Sequence, residues 1–337
     1  MNRVSSRLAS RTSTHQATLL ARADAAADRA EAAVRKVWLR LLALLRRDPP
    51  LHPWTVHHEL RPILAALHHG PADALRGSLT DIAAWGHEAA ADAVIETTSL
   101  PALVRAAVHQ WRGYSQPIRE DVEPRALASL GIGPLGLQAT DLLARLREPD
   151  VSKDEGRELL GKLLFPPLKL EGIAAILRRP ILGKTWEQDW SAATKLADPN
   201  LVMGIVAGGL AAGQNPREIA RTLQPVVQGV QSSARRIART YGMQVAHHAQ
   251  MQAHAQLGDL VIGYEVHSAK SIHSRKWHVT RDGTIYYLKP KAGQKGPAQC
   301  PHPPLEPEDP RERPAGAPHI AWNCMCWLSP VLRPLEE

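Results

Sequence analysis

The sequence predicts an α+β protein: a mostly α-helical N-terminal region followed by a small α+β module with long helices and a small antiparallel sheet. One observation is the apolar composition, because 337 residues include one Phe, five Tyr and nine Trp. The core must therefore come mainly from Leu, Ile, Val and Ala. A second is the hydrophobic period, which changes from that of a helix to that of a strand after Gly258. A third is the length, which favours about two domains. We place the boundary between residues 200 and 201.

The N-terminal region begins with residues 1–15, which are rich in Ser, Thr and Arg and predict a mobile arm. Residues 16–200 are predicted to be α-helical. The stretch from Ala17 to Arg47 contains no Gly or Pro, and its apolar residues recur on one face, which predicts one long helix. Asp48-Pro49-Pro50 is expected to end that helix.

The rest of the N-terminal region is predicted to be less regular. From His52 to Gln116 we expect several shorter helices, because Pro and Gly interrupt the pattern. These interruptions are Pro53, Pro62, Gly70-Pro71, Gly77 and Pro101. The span from Ile132 to Lys195 is typical of a connector between two packed regions.

The C-terminal region contains a clear helix start. Asn215 is a good N-cap, Pro216 fits the first helical position, and Glu218 completes a capping box. The helix is predicted to run to about Gln256 and to end at Gly258.

Strands follow this helix. Residues 261–266 predict a first strand. Residues 278–281 and 284–288, joined by Asp282-Gly283, predict a hairpin with a type I′ turn. Residues 327–332 predict a last short strand.

Positive charge is concentrated near the start of the chain. The net charge is +8, and the first 50 residues hold ten basic and four acidic side chains. Such a segment favours binding to a polyanion or to an acidic protein surface; the alternative is a solvated helix face. The candidate contact residues are Arg22, Arg29, Arg35, Lys36, Arg40, Arg46, Arg47, Arg235 and Arg236.

All three cysteines lie within the 27 residues that end at Cys326, together with two histidines. Clustered Cys and His side chains are typical zinc ligands, and a structural zinc would stabilise a Pro-rich loop. The alternative is three reduced cysteines packed as small hydrophobic groups, with the histidines at the surface. The candidate ligands are Cys300, His302, His319, Cys324 and Cys326.

Three motifs, in order, resemble the phage Mu F-like head morphogenesis family, which comprises minor head (minor capsid) proteins and includes the SPP1-type portal-associated protein. The first is the capped helix start at Asn215 and Glu218 that leads to Arg236-Ile-Ala-Arg239-Thr240. The second runs from Ser271 to Tyr286 and contains Arg275, His278, Asp282 and Gly283. The third closes the module with Asn323-Cys324-Met325-Cys326 and Pro330-Val331.

The resemblance covers residues 201–332, and the sequence departs from the family pattern at four places. Tyr241 stands where the family usually has Glu, and His273 replaces Asp. Three residues, 320–322, stand where the family has a single Pro, and Met325 replaces Arg.

The resemblance implies a virion protein rather than an enzyme. It would be made in the host cytoplasm and located in the head, near the portal. Its partners would be the portal protein and the major capsid or scaffold proteins, with double-stranded DNA a further candidate. His278 and Asp282 would fix a turn by hydrogen bonds.

Two other functions stay open: a metal-dependent hydrolase or nuclease using His278, Asp282 and the Cys/His cluster, and a basic DNA-binding protein. No membrane partner is expected, because the longest apolar run, Leu201 to Gly213, falls short of the roughly 20 residues that a span needs.

Overall fold

The computed structural model describes residues 3–47, 56–98, 103, 152–180, 183–268, 276–296 and 326–333. These residues form long and short helices and one small antiparallel sheet, so the predicted α+β class is confirmed. The helices are α1 (Arg3–Leu45), α2 (Val56–Thr97), α3 (Lys153–Leu164), α4 (Leu170–Leu177), α5 (Trp186–Thr194), α6 (Pro199–Ala211), α7 (Pro216–Ala255) and α8 (Lys276–Val279). The strands are β1 (Val261–His267), β2 (Ile285–Tyr287) and β3 (Trp327–Leu332).

Helix α1 is longer than the sequence predicted. It begins at Arg3, so residues 3–15, which were predicted to be a mobile arm, are helical. Extending an existing helix adds one hydrogen bond for each residue that it orders, whereas starting a helix is costly. A polar segment can therefore continue the Ala-rich helix beside it. The predicted end, just before Asp48, agrees with the last helical residue, Leu45.

Helix α2 is a single helix of 42 residues that contains Pro62 and Pro71, so the prediction of several shorter helices is wrong between residues 56 and 97. A proline inside a helix removes one hydrogen bond and clashes with the preceding turn. Here burial outweighs that cost, because a row of leucines along α2 lies in the core. The buried leucines are Leu60, Leu64, Leu67, Leu75 and Leu79.

Helices α1, α2 and α7 form a three-helix bundle. Arg47 pairs with Glu59 and Arg29 donates to Ser78, so α1 and α2 run antiparallel. Near the middle of α7, a Cβ on Gly242 would lie 3.3 Å from Ile82 of α2 and 3.4 Å from Ala23 of α1. The three helices therefore meet closely at Gly242.

One hydrophobic core runs through this bundle, from Leu19 to Ala249. It includes Val202 and Val206 of α6, and the boundary that we drew between residues 200 and 201 lies inside that helix. The core therefore crosses the boundary, and the N-terminal helices pack directly on the module that carries the family resemblance.

The sheet has the order β2-β1-β3, with both pairs antiparallel. Tyr264 and Val266 of β1 point to a second apolar cluster, which the last turns of α2 and α7 and the end of α3 complete. Glu265 lies opposite Ile285 on one side and opposite Ser329 on the other. The strands predicted at 261–266 and 327–332 are confirmed.

The predicted hairpin is wrong in its first strand. His278 lies in the short helix α8, and β2 pairs with β1 instead of with residues 278–281. Gly283 has a positive φ of 76°, the conformation that glycine adopts most easily, so a tight turn does occur here. It connects a helical turn to β2, and the alternation over residues 278–281 was too short to tell a strand from a helical turn.

Within the described residues, no helix is long and apolar enough to cross a membrane.

Candidate functional site

The start of α7 has the predicted capping box. The Asn215 side chain accepts hydrogen bonds from the backbone N–H groups of Arg217 (3.0 Å) and Glu218 (3.1 Å). The Glu218 carboxylate accepts from the backbone N–H of Asn215 at 2.8 Å. The first family motif therefore begins with a structural element, which satisfies the open donors of the helix end.

The arginines of the same motif face α1. Arg239 donates to Asp24 at 2.5 Å, and Arg235 donates to Glu31 at 2.5 Å and to Asp28 at 2.8 Å. The Glu31 carboxylate, aided by Asp28 and Asp24, raises the pKa of Arg235 further above its ordinary value. Thr240 is buried. Arg235 was predicted to contact DNA or an acidic protein surface, and that role stays a prediction; in this structure its guanidinium pairs with acidic side chains of α1.

Tyr241, one of the departures from the family pattern, has a defined role. Its ring is buried, and its hydroxyl donates to Asp189 at 2.7 Å and lies 3.0 Å from the carbonyl oxygen of Lys184. Burial, followed by the Asp189 carboxylate, raises the pKa of the Tyr241 hydroxyl. The residue therefore links α7 to α5 as a neutral hydrogen-bond donor, a role that a glutamate at this position could not fill beside Asp189.

Three of the predicted contact residues, all of them exposed, make contacts with α2 from α1 or from the turn that follows it. The guanidinium of Arg22 lies 5.0 Å from the ring centre of Trp85. Arg29 donates to Ser78 at 2.9 Å, and Arg47 pairs with Glu59. Each interaction holds α1 to α2, so these side chains have a structural use.

The other predicted contact residues are exposed. Arg236 lies on α7 and has an interaction of its own. Arg35, Lys36 and Arg40 are exposed on α1, and Arg46 is exposed in the turn that follows it. Among the described residues, none of these four makes an ion pair.

The second and third family motifs meet at one buried corner. His278 Nδ1 lies 3.1 Å from Cys326 Sγ, and the two residues are 4% and 3% exposed. His278 was expected to fix a turn, whereas the structure gives it a contact with the start of β3.

Asp282 and Gly283 tie the turn before β2 to β1. Asp282 Oδ1 accepts from the backbone N–H of Ser268 at 2.8 Å, and the N–H of Gly283 donates to Val266 at 2.8 Å. The predicted hydrogen-bonding role of Asp282 is confirmed, although the turn joins different elements from those expected.

Of the five candidate zinc ligands, Cys326 is the one that the structure describes. Cys300, His302, His319 and Cys324 lie outside the described residues, as does Arg275 of the second motif. In the part of the chain that is described, no group of three or more His, Cys, Asp or Glu side chains is placed to hold a metal ion. The thiol and imidazole at the corner are nevertheless donors of the type that zinc prefers.

A buried polar layer between bundle and sheet was not predicted from the sequence. His254 is fully buried in the last turn of α7, with its ring centre 5.9 Å from that of Tyr264. Burial, and then the nearby His87, lowers the pKa of His254 to about 3. His87 lies 3.5 Å from Gln256. The burial of His254 could have been predicted from its position, because it continues the buried face of α7 one turn after Gln250.

Comparison with known proteins gives no relative: no family model, no curated protein and no solved structure matches the chain. The described site residues cap a helix, join helices or fix strands.

Proposed function

We propose that the protein is a non-enzymatic minor head protein of a tailed phage or prophage, associated with the portal and acting in head assembly and in DNA packaging or delivery. The observation that supports this most is the 3.1 Å contact between His278 and Cys326. These residues come from separate family motifs, 48 positions apart in the chain. Their meeting supports the view that the motifs belong to one module.

The way in which each motif is used also favours an assembly component. The first motif caps α7 and pairs it with α1 through Arg239, and the turn at Asp282 is tied to β1. A nucleophile or general base must reach its substrate. His278 and Cys326 are both buried, which argues against their use in a hydrolase or nuclease.

The proposed partners are the portal protein and the major capsid or scaffold proteins, and the proposed location is the head of the virion near the portal. The test is co-sedimentation of the full-length protein with proheads that contain or lack the portal. We expect the protein in portal-containing proheads and its absence from portal-free ones. A chain that joins neither kind of prohead, and does not bind isolated portal, would contradict the proposal.

A structural zinc at the Cys/His cluster stays a prediction, and it can be tested separately. The purified protein is analysed for metal content, alongside Cys326→Ser and a Ser232→Ala control on the exposed face of α7. One zinc for each chain, lost in Cys326→Ser and kept in the control, is the expected result. If the purified protein contains no metal and a chelator does not change its melting temperature, a structural zinc is excluded. DNA cleavage that depends on added metal would instead favour a nuclease.

A further inference from the structure

The interface between α1 and α7 changes its charge balance along its length. Near the middle of α7, Asp24, Asp28 and Glu31 neutralise Arg239 and Arg235. Both helices then continue toward the other end of the bundle. They remain neighbours there, because Val34 and Leu41 of α1 line the same small apolar cavity as Leu223 and Val230 of α7.

Helical periodicity places more cations along this second half. Arg217 and Arg221 precede Arg235 and Arg239 by 18 residues, about five whole turns, and so lie on the same side of α7. Arg46 follows Asp28 by the same interval, and Arg35 follows it by about two turns. The positions that hold acids in the first half of α1 therefore hold arginines in the second.

We call six exposed side chains at this end of the bundle the cationic patch. They are Arg35, Lys36 and Arg40 of α1, Arg46 just after α1, and Arg217 and Arg221 of α7. None of the six makes an ion pair within the described residues, and α1 has no acid between Arg35 and Arg47. The acid beside Arg217 on α7 is Glu218, whose carboxylate is bonded to the helix cap.

We infer that the cationic patch binds the phosphate backbone of double-stranded DNA, without reading its sequence. Five of the six groups are guanidinium groups, which can hold phosphate oxygens with two parallel hydrogen bonds. Arg35 and Arg46 lie about 17 Å apart along the helix axis. Packed helices lie about 10 Å apart, so cations on α1 and α7 can reach phosphates on both sides of a groove about 12 Å wide.

An acidic protein surface fits the patch less well. The centre of a protein interface is depleted in charge and enriched in apolar and aromatic groups. The cationic patch has one large exposed apolar side chain, Leu39, which is 57% exposed. Six cations around one leucine favour a partner whose own charges are dense and regularly spaced.

The test measures binding of the purified full-length protein to a short, random-sequence, labelled DNA duplex at several salt concentrations. For the wild type, the logarithm of the binding constant should fall linearly with the logarithm of salt. In R35Q/R40Q/R46Q the slope should become shallower by about 0.9 for each phosphate contact removed. Between about 50 and 200 mM salt, this variant should therefore lose roughly 40-fold less affinity than the wild type loses.

A charge-matched control is K169Q/R178Q/K184Q, which removes three exposed cations far from α1 in sequence. This control should keep the wild-type slope, and Leu39→Ala should keep both slope and affinity. Melting temperatures of all variants check that the fold is intact. Equal losses in both triple variants, or no binding by the wild type, would overturn the inference.

The inference extends the proposed function but fails separately from it, because the binding assay contains no portal or prohead. If the protein binds DNA but does not associate with proheads, the DNA-binding role of the cationic patch is supported and the proposed portal association is contradicted. Prohead association that R35Q/R40Q/R46Q and Leu39→Ala both weaken, with no DNA binding, would assign the patch to a protein partner and overturn the DNA assignment.

Discussion

The helical bundle and the small sheet are held in different ways. At Gly86 and Gly242 the bundle helices approach so closely that a single added carbon would touch the neighbouring helix. The sheet and its junction with the bundle depend on polar groups in buried places: His254 beside Tyr264, His278 beside Cys326 and Asp282 on Ser268. We therefore expect the stability of the bundle to depend on side-chain volume, and that of the junction to depend on protonation.

The largest expected effect tests the bundle. A Cβ at Gly86 would lie 3.0 Å from backbone atoms of Ala246, so Gly86→Leu should lower the free energy of unfolding by about 3 kcal/mol through overpacking. Gly77 lies in the same helix with nothing within 4 Å, so Gly77→Ala should raise it by about 0.5–1 kcal/mol. Urea unfolding measures both. If Gly86→Leu and Gly77→Ala change the free energy of unfolding similarly, close helix packing at Gly86 does not determine the stability of the bundle.

The next effect tests the junction through pH. His254 has a folded-state pKa of about 3, below its ordinary value, so between these values the unfolded chain binds a proton that the folded chain does not. Stability should therefore fall as pH falls, by about 2 kcal/mol from this residue between pH 7 and pH 5. His248, whose pKa is lowered to about 4 by burial and Arg179, adds a loss in the same direction.

Urea unfolding at both pH values, on the wild type and on His254→Gln, checks this prediction. The variant should lose less stability on acidification than the wild type, whatever its stability at pH 7. An unchanged difference between the two pH values would show that His254 is not held in its neutral form.

A smaller effect concerns the link between α7 and α5. Tyr241→Phe removes the donor to Asp189 and should cost about 1–2 kcal/mol, because the carboxylate loses a hydrogen bond in a partly buried place. Leu223→Phe, at a buried position of α7 far from Asp189 in sequence, is a control for general repacking. Thermal unfolding of Tyr241→Phe that matches the wild type would remove the proposed role of this hydroxyl.

The smallest effect concerns the ion pairs along the interface between α1 and α7. Both side chains of the Arg235–Glu31 pair are partly exposed, so a double-mutant cycle with Arg235→Gln and Glu31→Gln should give a coupling energy of about 0.5–1 kcal/mol. The coupling should decrease with added salt. A coupling energy larger than the loss of unfolding free energy in Gly86→Leu would contradict the expectation that the bundle depends more on side-chain volume than on charge.

The sequence predicted those parts of the fold that local chemistry determines. The start of α7 follows from Asn215, Pro216 and Glu218, which act within one turn. The strands at 261–267 and 327–332 follow from their alternation and composition. The single helix α2 could not be predicted, because the burial that outweighs Pro62 and Pro71 comes from α1 and α7, which are separate elements of the chain.

The candidate site shows the same limit. Arg235 looks like an exposed cation in the sequence, since its partner Glu31 lies 204 positions away. The Cys/His pattern drew attention to Cys326, but nothing local pointed to His278 as its neighbour. The density of positive charge along α1 can be read from the sequence. Which of these arginines contact another helix depends on how α2 and α7 pack on α1.

The pairing of α1 with α7 also has a consequence for synthesis on the ribosome. Asp24 and Arg239 are 215 positions apart, so at about 5–20 residues per second roughly 10–40 s pass between the emergence of the two. During that interval α1 can pack on α2 alone, and the side of α1 that will meet α7 faces the solvent. A nascent chain arrested before α7 emerges should therefore bind chaperones that recognise apolar helices, and release them once α7 has been made.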